Sequence, residues 1–408
     1  MVLKKTLTEP PCPFLLRSTN SSSFQHILQE FDDITRDALS RILGGSVSDL
    51  GWDQAKLPVC MGGLGLRAAL DHGSAAFATS YMASEKYRHK LQHLDENETS
   101  STLSPDLLAT LSAKMGEEDI LSSEYFGGVS QRGVSVKIDL HNKSLLSQRV
   151  QREGCVRDIA RLASLDIKDS HAGAWLTVVP SPGLGLKLHP AEFVVALRHR
   201  LGHPIYSSDG PCPACGQASD KMGVHAMNCA WQGERIARHN ALRDTIHSTA
   251  STAALAPAKE GRFLLPGEGG RPADVLIPGW SGGKDAAIDV TVINPLQDSV
   301  VTEAAASPGH ALSVAHQRKL DKSWEACHRQ GIVFLPLAVE SLGAWHPSAI
   351  IEIKRLGSAL ARHTGEEEAT TTSRLFQRLS ISLMRGNAAL FNNRCPPEQS
   401  THGDSVDW

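Results

Sequence analysis

The amino-acid sequence predicts an α+β fold, with a mainly helical amino-terminal half followed by a small mixed sheet flanked by helices. Up to about residue 206, apolar residues recur mostly at helical spacing. Three short β-type runs then occupy 262–265, 273–278 and 286–293, and a fourth occupies 332–340 after a predicted helix at about 309–330. Strands interleaved with a long helix indicate an α/β or α+β layer structure.

The composition limits the classes of protein to which the chain can belong. Its 408 residues, 41% of them hydrophobic, suffice for two or three domains. With 41 Lys+Arg against 44 Asp+Glu, the net charge of −3 excludes a uniformly basic nucleic-acid coat protein, although a local basic face stays open. No apolar stretch is long enough to span a bilayer, and no apolar signal region follows the first residues. We therefore expect a nuclear or cytoplasmic protein that is not secreted and has no membrane partner.

The first segment contains a predicted amphipathic helix at 23–43, which two glycines at 44 and 45 end. The Phe-Asp-Asp sequence at 31–33 lies within this helix, whereas polymerase acids need a β-hairpin, so we do not assign it to catalysis. The apolar residues at helical spacing are Ile27, Phe31, Ile34, Ala38 and Ile42.

The changes in pattern along the chain divide it into six predicted segments. A polar, Ser/Thr-rich stretch marks a linker, and a Cys/His patch marks the change from helical to mixed character. The segments are a helical region at 1–94, a linker at 95–106, a second helical region at 107–206, the Cys/His patch with a helix at 207–250, the sheet-containing domain with terminal helices at 251–395, and a disordered tail at 396–408.

The Cys/His patch has the spacing C-x2-C-x9-H-x3-C. Without secretion, cysteines are expected as thiols or metal ligands and not as disulfides. A C-x2-C turn supplies two thiolates and an H-x3-C pair places two ligands on one helical face, which suits tetrahedral zinc. We predict a structural zinc site, closed to water by its four ligands, and leave open whether the knuckle also contacts nucleic acid. The ligands are Cys212, Cys215, His225 and Cys229.

Two aspartates lie in neighbouring β-type runs. Asp274 opens the second run and Asp289 lies inside the third, and the intervening GWSGGK sequence at 279–284 is typical of a hairpin. Adjacent strands would present the two carboxylates side by side, where both could bind one Mg²⁺ ion. Such an ion can activate water and stabilise a phosphate under attack. In the alternative interpretation, Asp274 caps a strand end and Asp289 forms a structural ion pair with Arg271 or a lysine.

Three further side chains, two lysines and a glutamate, are candidates for supporting roles around the two aspartates. Lys319 and Lys322 lie three apart on the predicted helix before the last run, so they share a face that could supply a cation, although lysines on helices are usually solvated. His239 is expected to be a buried, hydrogen-bonded histidine. Glu340 ends the fourth run, either as an acid that supports the site or as a strand-end charge.

In combination, these motifs resemble the carboxy-terminal part of non-LTR retrotransposon polyproteins with a restriction-like endonuclease of the PD-(D/E)xK type. The likeness covers roughly residues 20–395, and its segment 31–69 is similar to the region that follows the reverse transcriptase palm in such elements. After the zinc knuckle, the motifs are RHNALRD (238–244), RPADV (271–275), IDVTVINP (288–295), KLDKSW (319–324) and VFLPLAVESLGAW (333–345).

This resemblance implies a restriction-endonuclease-like fold, a structural zinc ion and a catalytic magnesium ion held by Asp274 and Asp289, with Lys319 and Lys322 at the family's downstream basic positions. The chain departs from the family pattern, because Pro-Ala precedes Asp274 and Thr291 stands where a lysine is usual. It also lacks a polymerase palm and would not be a reverse transcriptase on its own.

Two hypotheses of different class follow from the resemblance. In the first, the chain is a DNA endonuclease fragment that nicks target DNA, with DNA, the element's RNA and a polymerase half in trans as partners. In the second, it is a non-catalytic, zinc-dependent nucleic-acid-binding remnant or domesticated derivative.

Overall fold

The computed structural model describes residues 12–92, 102–260 and 273–395. The chain divides into two compact units, 1–153 and 154–408, and the boundary falls inside the predicted second helical region. The predicted β-type run at 262–265 and the predicted tail at 396–408 lie outside the described residues.

The described part of the first unit is helical. Four of its helices surround an apolar core that includes Met82, Leu111, Phe126 and Ile138. The helices are α1 (Cys12–Ser18), α2 (Gln25–Leu43), α3 (Asp49–Lys56), α4 (Ala69–Ala83), α5 (Glu85–Gln92), α6 (Pro105–Met115), α7 (Ser123–Gly128) and α8 (Gln131–Glu153).

Helix limits in this unit follow local capping chemistry. Helix α2 ends at Gly44, which adopts the left-handed conformation with φ of 68°, as the glycine pair predicts. Helix α6 begins at Pro105, and the Ser104 side chain accepts a hydrogen bond from the backbone N–H of Leu107. The helix therefore starts before the predicted linker ends at residue 106, and residues 95–101 of that linker are outside the described part.

Helix α2 does not turn all of its predicted apolar face toward the protein. Its buried residues are Asp32, Thr35, Leu39 and Leu43, whereas Ile27 and Ile34 of the predicted apolar face are exposed. The Asp32 carboxylate accepts hydrogen bonds from the first two backbone N–H groups of α4, at 2.7 and 2.9 Å, so a polar anchor sets the rotation.

The second unit is α+β, as the sequence predicts. Its strands are β1 (Gly210–Pro211), β2 (Ala218–Ser219), β3 (Ala258–Lys259), β4 (Val275–Ser281), β5 (Lys284–Ile293) and β6 (Val333–Glu340). The last four form a sheet in the order β3-β4-β5-β6, and β1 and β2 form a two-stranded ribbon. Its helices are α9 (Val156–Leu165), α10 (Pro190–Leu201), α11 (Val224–Asn228), α12 (Glu234–Thr252), α13 (Val301–Ala306), α14 (His310–Arg329), α15 (Pro347–Thr364) and α16 (Glu368–Asn392).

The sheet is mixed because of how its strands are connected. The β4–β5 pair is an antiparallel hairpin, whose turn glycines Gly282 and Gly283 have φ of 58° and 79°, as a tight two-residue turn requires. Strand β6 returns parallel to β5 after the α13–α14 crossover. The crossover lays α14 against β5 and β6, and this packing brings side chains of α14 to the strand that carries Asp289.

Among the described residues, no helix is long and apolar enough to cross a membrane.

Candidate functional site

The predicted zinc ligands meet at one point of the second unit. The ligand atoms of Cys212, Cys215, His225 and Cys229 all lie within 4.8 Å of one another, and Cys215 Sγ is 3.3 Å from His225 Nε2. Thiolates around tetrahedral zinc are separated by about 3.8 Å, so the cluster fits this ion with small adjustments. It is the one group of three or more such ligands that comes together in the described part of the chain. This Cys₃His cluster can therefore bind a metal ion such as zinc.

Backbone hydrogen bonds of the knuckle hold the first two ligands. The N–H of Cys212 donates to the Gln217 carbonyl at 2.7 Å, and the N–H of Gly216 donates to the Cys212 carbonyl at 2.8 Å. Gly216 has φ of 74°, which glycine adopts without steric cost. The β1–β2 ribbon closes the loop, so both thiols are presented from one tight turn.

The other two ligands are placed by a short, well-capped helix. The Asp220 carboxylate accepts hydrogen bonds from the backbone N–H groups of Val224 and His225, at 3.0 and 2.9 Å. Cys229 follows this helix directly. Burial opposes ionisation of Cys229, but hydrogen bonds from Arg394 and from the backbone lower the pKa of its thiol, which favours the thiolate that a metal needs.

The two predicted acids face each other across the β4–β5 hairpin. Val275 pairs with Ile288, so Asp274, one position earlier, stands opposite Asp289, one position later. Their carboxyl groups are close enough to influence each other's pKa. The side chains are only 18% and 13% exposed, respectively. Carboxylates this close and this buried need a shared proton or a cation.

A basic side chain lies on each side of this acid pair. His239 of α12 has its Nε2 atom 3.0 Å from Asp274 Oδ1, and Lys319 of α14 has its Nζ atom 2.7 and 3.0 Å from the two oxygens of Asp289. The backbone N–H of Val290 also donates to Asp274 Oδ2 at 2.7 Å. Three elements distant in sequence thus meet at one edge of the hairpin.

The two carboxyl groups have opposite pKa shifts. Burial opposes ionisation of Asp274, but the hydrogen bonds from His239 and Val290 hold its pKa below the ordinary value. Burial raises the pKa of Asp289 to about 6, because Lys319 offsets only part of the effect and the neighbouring Asp274 charge adds to it. The two carboxyl groups therefore titrate as a coupled pair, which loses its first proton more readily than its second.

The structure separates the side chains that the sequence groups together. Lys319 contacts Asp289, whereas Lys322 is exposed and no hydrogen bond or ion pair joins it to a described residue. Glu340 is also apart from the acids, because Asp289 pairs with Pro336 and Glu340 lies four residues further along β6, about 13 Å away at 3.3 Å per residue. Arg271 lies outside the described residues.

His239 is the residue of this site that the sequence does not assign to it. It is hydrogen-bonded, as predicted, but its partner Asp274 is 35 positions away. The sequence signal was the proximity of the Arg-His-Asn motif to the metal-binding knuckle, which does not specify a contact with the acids.

Comparison with known proteins finds no family model that matches the chain and no curated protein that matches it. The site is therefore interpreted from its own geometry.

Proposed function

We propose that the chain is a metal-dependent DNA endonuclease in which Asp274 and Asp289 hold Mg²⁺. The observation that carries the proposal is the buried cross-strand acid pair with Lys319 at one carboxylate. Oxygen donors from two carboxylates suit Mg²⁺, which is usually bound by one or two protein carboxylates. When bound, such an ion acts as a Lewis acid on a phosphate oxygen and lowers the pKa of water.

The side chains of the chain have distinct roles in this proposal. Asp274 is held ionised by His239 and Val290, so it offers a permanent negative charge to the cation. Asp289 exchanges its proton near neutral pH and offers the second carboxylate. Lys319 lies within reach of the same carboxylate and would stabilise the phosphate that is attacked or orient water beside it.

The fold around the acids supports an assignment to the restriction-endonuclease-like class. A mixed sheet whose central hairpin carries two acids, and whose crossover helix carries a lysine, has the parts that the sequence resemblance implies. Lys319 supplies a cation in the absence of a lysine at position 291. In this proposal, the chain is a retroelement fragment that acts on DNA, with the element's RNA and a polymerase half in trans as further partners. Its zinc ion has a structural role.

One observation favours the second candidate function, a non-catalytic zinc-dependent nucleic-acid-binding protein. Lys319 contacts both oxygens of Asp289, which is also the geometry of a structural ion pair. Under this alternative the quartet of His239, Asp274, Asp289 and Lys319 would only hold α12 and α14 against the hairpin.

An assay for nicking of supercoiled plasmid in Mg²⁺ or Mn²⁺ distinguishes the endonuclease from the non-catalytic binding protein. The wild-type chain is expected to nick, and the Asp274→Ala/Asp289→Ala double variant is expected to be inactive while still binding zinc and DNA. Asp321→Ala is the matched control, since Asp321 is an exposed acid of α14 that contacts Gln317. Lys319→Ala is expected to lose activity, and Lys322→Ala is expected to keep it.

The outcomes separate the two functions. No metal-dependent nicking by a folded, zinc-loaded wild-type chain that binds DNA in a salt-sensitive manner would favour the binding protein. Equal nicking by the wild type and the double variant would reject the assignment of the acids.

A further inference from the structure

Helix α2 of the first unit and Phe24, the residue directly before it, leave part of their apolar surface exposed to solvent. Residues Phe24, Ile27 and Ile34 are 41%, 50% and 59% exposed. The buried side of the helix carries Asp32 and Thr35 beside Leu39 and Leu43. The Asp32 carboxylate is tied to the start of α4, so α2 cannot rotate to bury the apolar face without losing two hydrogen bonds.

The exposed residues Phe24, Ile27 and Ile34, together with the half-buried Phe31 and Ala38, form a seam with the spacing of a coiled coil. Successive members are three, four, three and four positions apart, which is the alternation that keeps a stripe facing one partner helix. The α2 seam consists of Phe24, Ile27, Phe31, Ile34 and Ala38. A seam this narrow, two heptads long, matches a single partner helix that lies along α2. Insertion of α2 into a larger apolar core would need a broader apolar face.

Acidic residues line one side of the seam. Glu30 and Asp37 are both exposed, occupy the position before Phe31 and Ala38, and form no ion pair with another residue in the described part of the chain. In heptad terms both are at position g, where charges choose the partner. Lysine or arginine on an apposed helix would therefore complement them.

A second copy of α2 does not provide that complement. In an antiparallel pair, position g faces position g, so Glu30 and Asp37 would meet acids of the other copy. In a parallel pair, g faces e, where α2 carries Leu28 and Thr35. Thr35 is buried, and Leu28 lies against the backbone of Gly73 in α4, so neither is turned outward.

We propose that the α2 seam is a docking surface for an amphipathic helix of another protein whose apolar stripe is flanked by lysine or arginine. The contact is independent of the metal sites and goes beyond the proposed nuclease function. Burial of the seam would supply the affinity, and Glu30 and Asp37 would supply the selectivity for a basic partner.

A pair of synthetic peptides tests this proposal with the full chain. Each is a three-heptad helix with leucine at a and d, and one carries lysine and the other glutamate at e and g. Like charges at these positions keep each peptide from pairing with itself. Fluorescence anisotropy of the labelled peptides is expected to show that the lysine peptide binds at least about tenfold more tightly.

Variants of the seam identify where the peptide binds. Ile34→Glu is expected to weaken binding of the lysine peptide by about tenfold or more, and the Glu30→Lys/Asp37→Lys double variant is expected to reverse the preference between the peptides. Ile120→Glu is the matched control, because Ile120 is 66% exposed in the same unit and outside the seam. Far-UV circular dichroism checks that each variant is folded.

Three results would overturn the proposal. In the first, the lysine peptide does not bind. In the second, the Glu30→Lys/Asp37→Lys variant keeps the same preference between the peptides as the wild type. In the third, the chain associates with itself and Ile34→Glu abolishes this association. The last result would assign the seam to a second copy.

Discussion

Replacement of Glu340 by glutamine is expected to stabilise the second unit at neutral and alkaline pH. Glu340 is 1% exposed at the end of β6, and its carboxyl accepts a hydrogen bond from the Ser164 hydroxyl of α9. Burial raises its pKa from 4.5 to about 7, and the Ser164 hydrogen bond opposes only part of this rise. The folded protein therefore favours the neutral acid.

The sign and size of the effect follow from proton linkage. Between pH 4.5 and about 7, the folded state binds more protons at Glu340 than the unfolded state does, so the free energy of unfolding falls as pH rises. The favourable contribution is complete below pH 4.5 and is lost as pH rises through about 7. At about 1.4 kcal/mol per pH unit, the loss by pH 8 is about 3 kcal/mol.

Glutamine has nearly the same shape as glutamate and no charge. Urea unfolding followed by circular dichroism, from pH 5 to pH 9, is expected to give similar stabilities for Glu340→Gln and wild type at the acidic end. By pH 8 the variant is expected to be more stable by about 2–3 kcal/mol. Ser164→Ala is the companion variant and is expected to destabilise the protein at every pH, since it removes the hydrogen-bond donor.

The result that would refute this reasoning is a difference between wild type and Glu340→Gln that does not change with pH. It would mean that Glu340 is ionised in the folded state and that a cation compensates its charge. Asp289→Asn in both backgrounds removes another carboxyl of the second unit whose pKa is raised, so its titration does not contribute to the comparison of Glu340 with glutamine.

Three further perturbations have defined expectations. His225→Ala is expected to abolish zinc binding and lower the melting temperature, measured by metal analysis and thermal scans; retention of stoichiometric zinc would contradict the site. Gly223→Ala is expected to destabilise by about 1–3 kcal/mol in urea, because its Cβ would lie 2.5 Å from the Phe391 ring at φ of 78°. Gly216 has φ of 74° but open space where a Cβ would lie, so Gly216→Ala is expected to cost only about 1 kcal/mol. Equal losses of stability in Gly216→Ala and Gly223→Ala would show that crowding against Phe391 is not the cause. Asp32→Ala is expected to cost about 1–2 kcal/mol, since two backbone N–H groups lose their acceptor; an unchanged urea midpoint would reject its anchoring role.

Features that depend on short stretches of chain were predicted well. The C-x2-C-x9-H-x3-C spacing located the metal cluster, because a knuckle and one helical turn bring the ligands together locally. The glycine pairs after α2 and within the β4–β5 turn located a helix end and a hairpin, because these conformations favour glycine. The hairpin in turn placed Asp274 opposite Asp289.

Features that depend on packing between distant elements were not predictable to the same extent. The apolar stripe of α2 predicted its core face, yet α2 is anchored to α4 by Asp32, and two members of the stripe, Ile27 and Ile34, are exposed. The two lysines of α14 share a helical face in sequence, but only Lys319 reaches the acids. Glu340 lies on β6, next to the strand that carries Asp289, but it is four residues beyond Pro336, the residue that pairs with Asp289.

The sequence by itself determined the three longer strands, the Cys/His cluster and the opposed aspartates, since each follows from hydrogen bonding and side-chain periodicity within a few residues or one hairpin. Only the tertiary structure decided that His239 and Lys319 flank those aspartates, and that an apolar seam of α2 stays outside. The rotation and position of a helix depend on the summed contacts of its buried side chains with elements many positions away, and a local sequence pattern does not contain that sum.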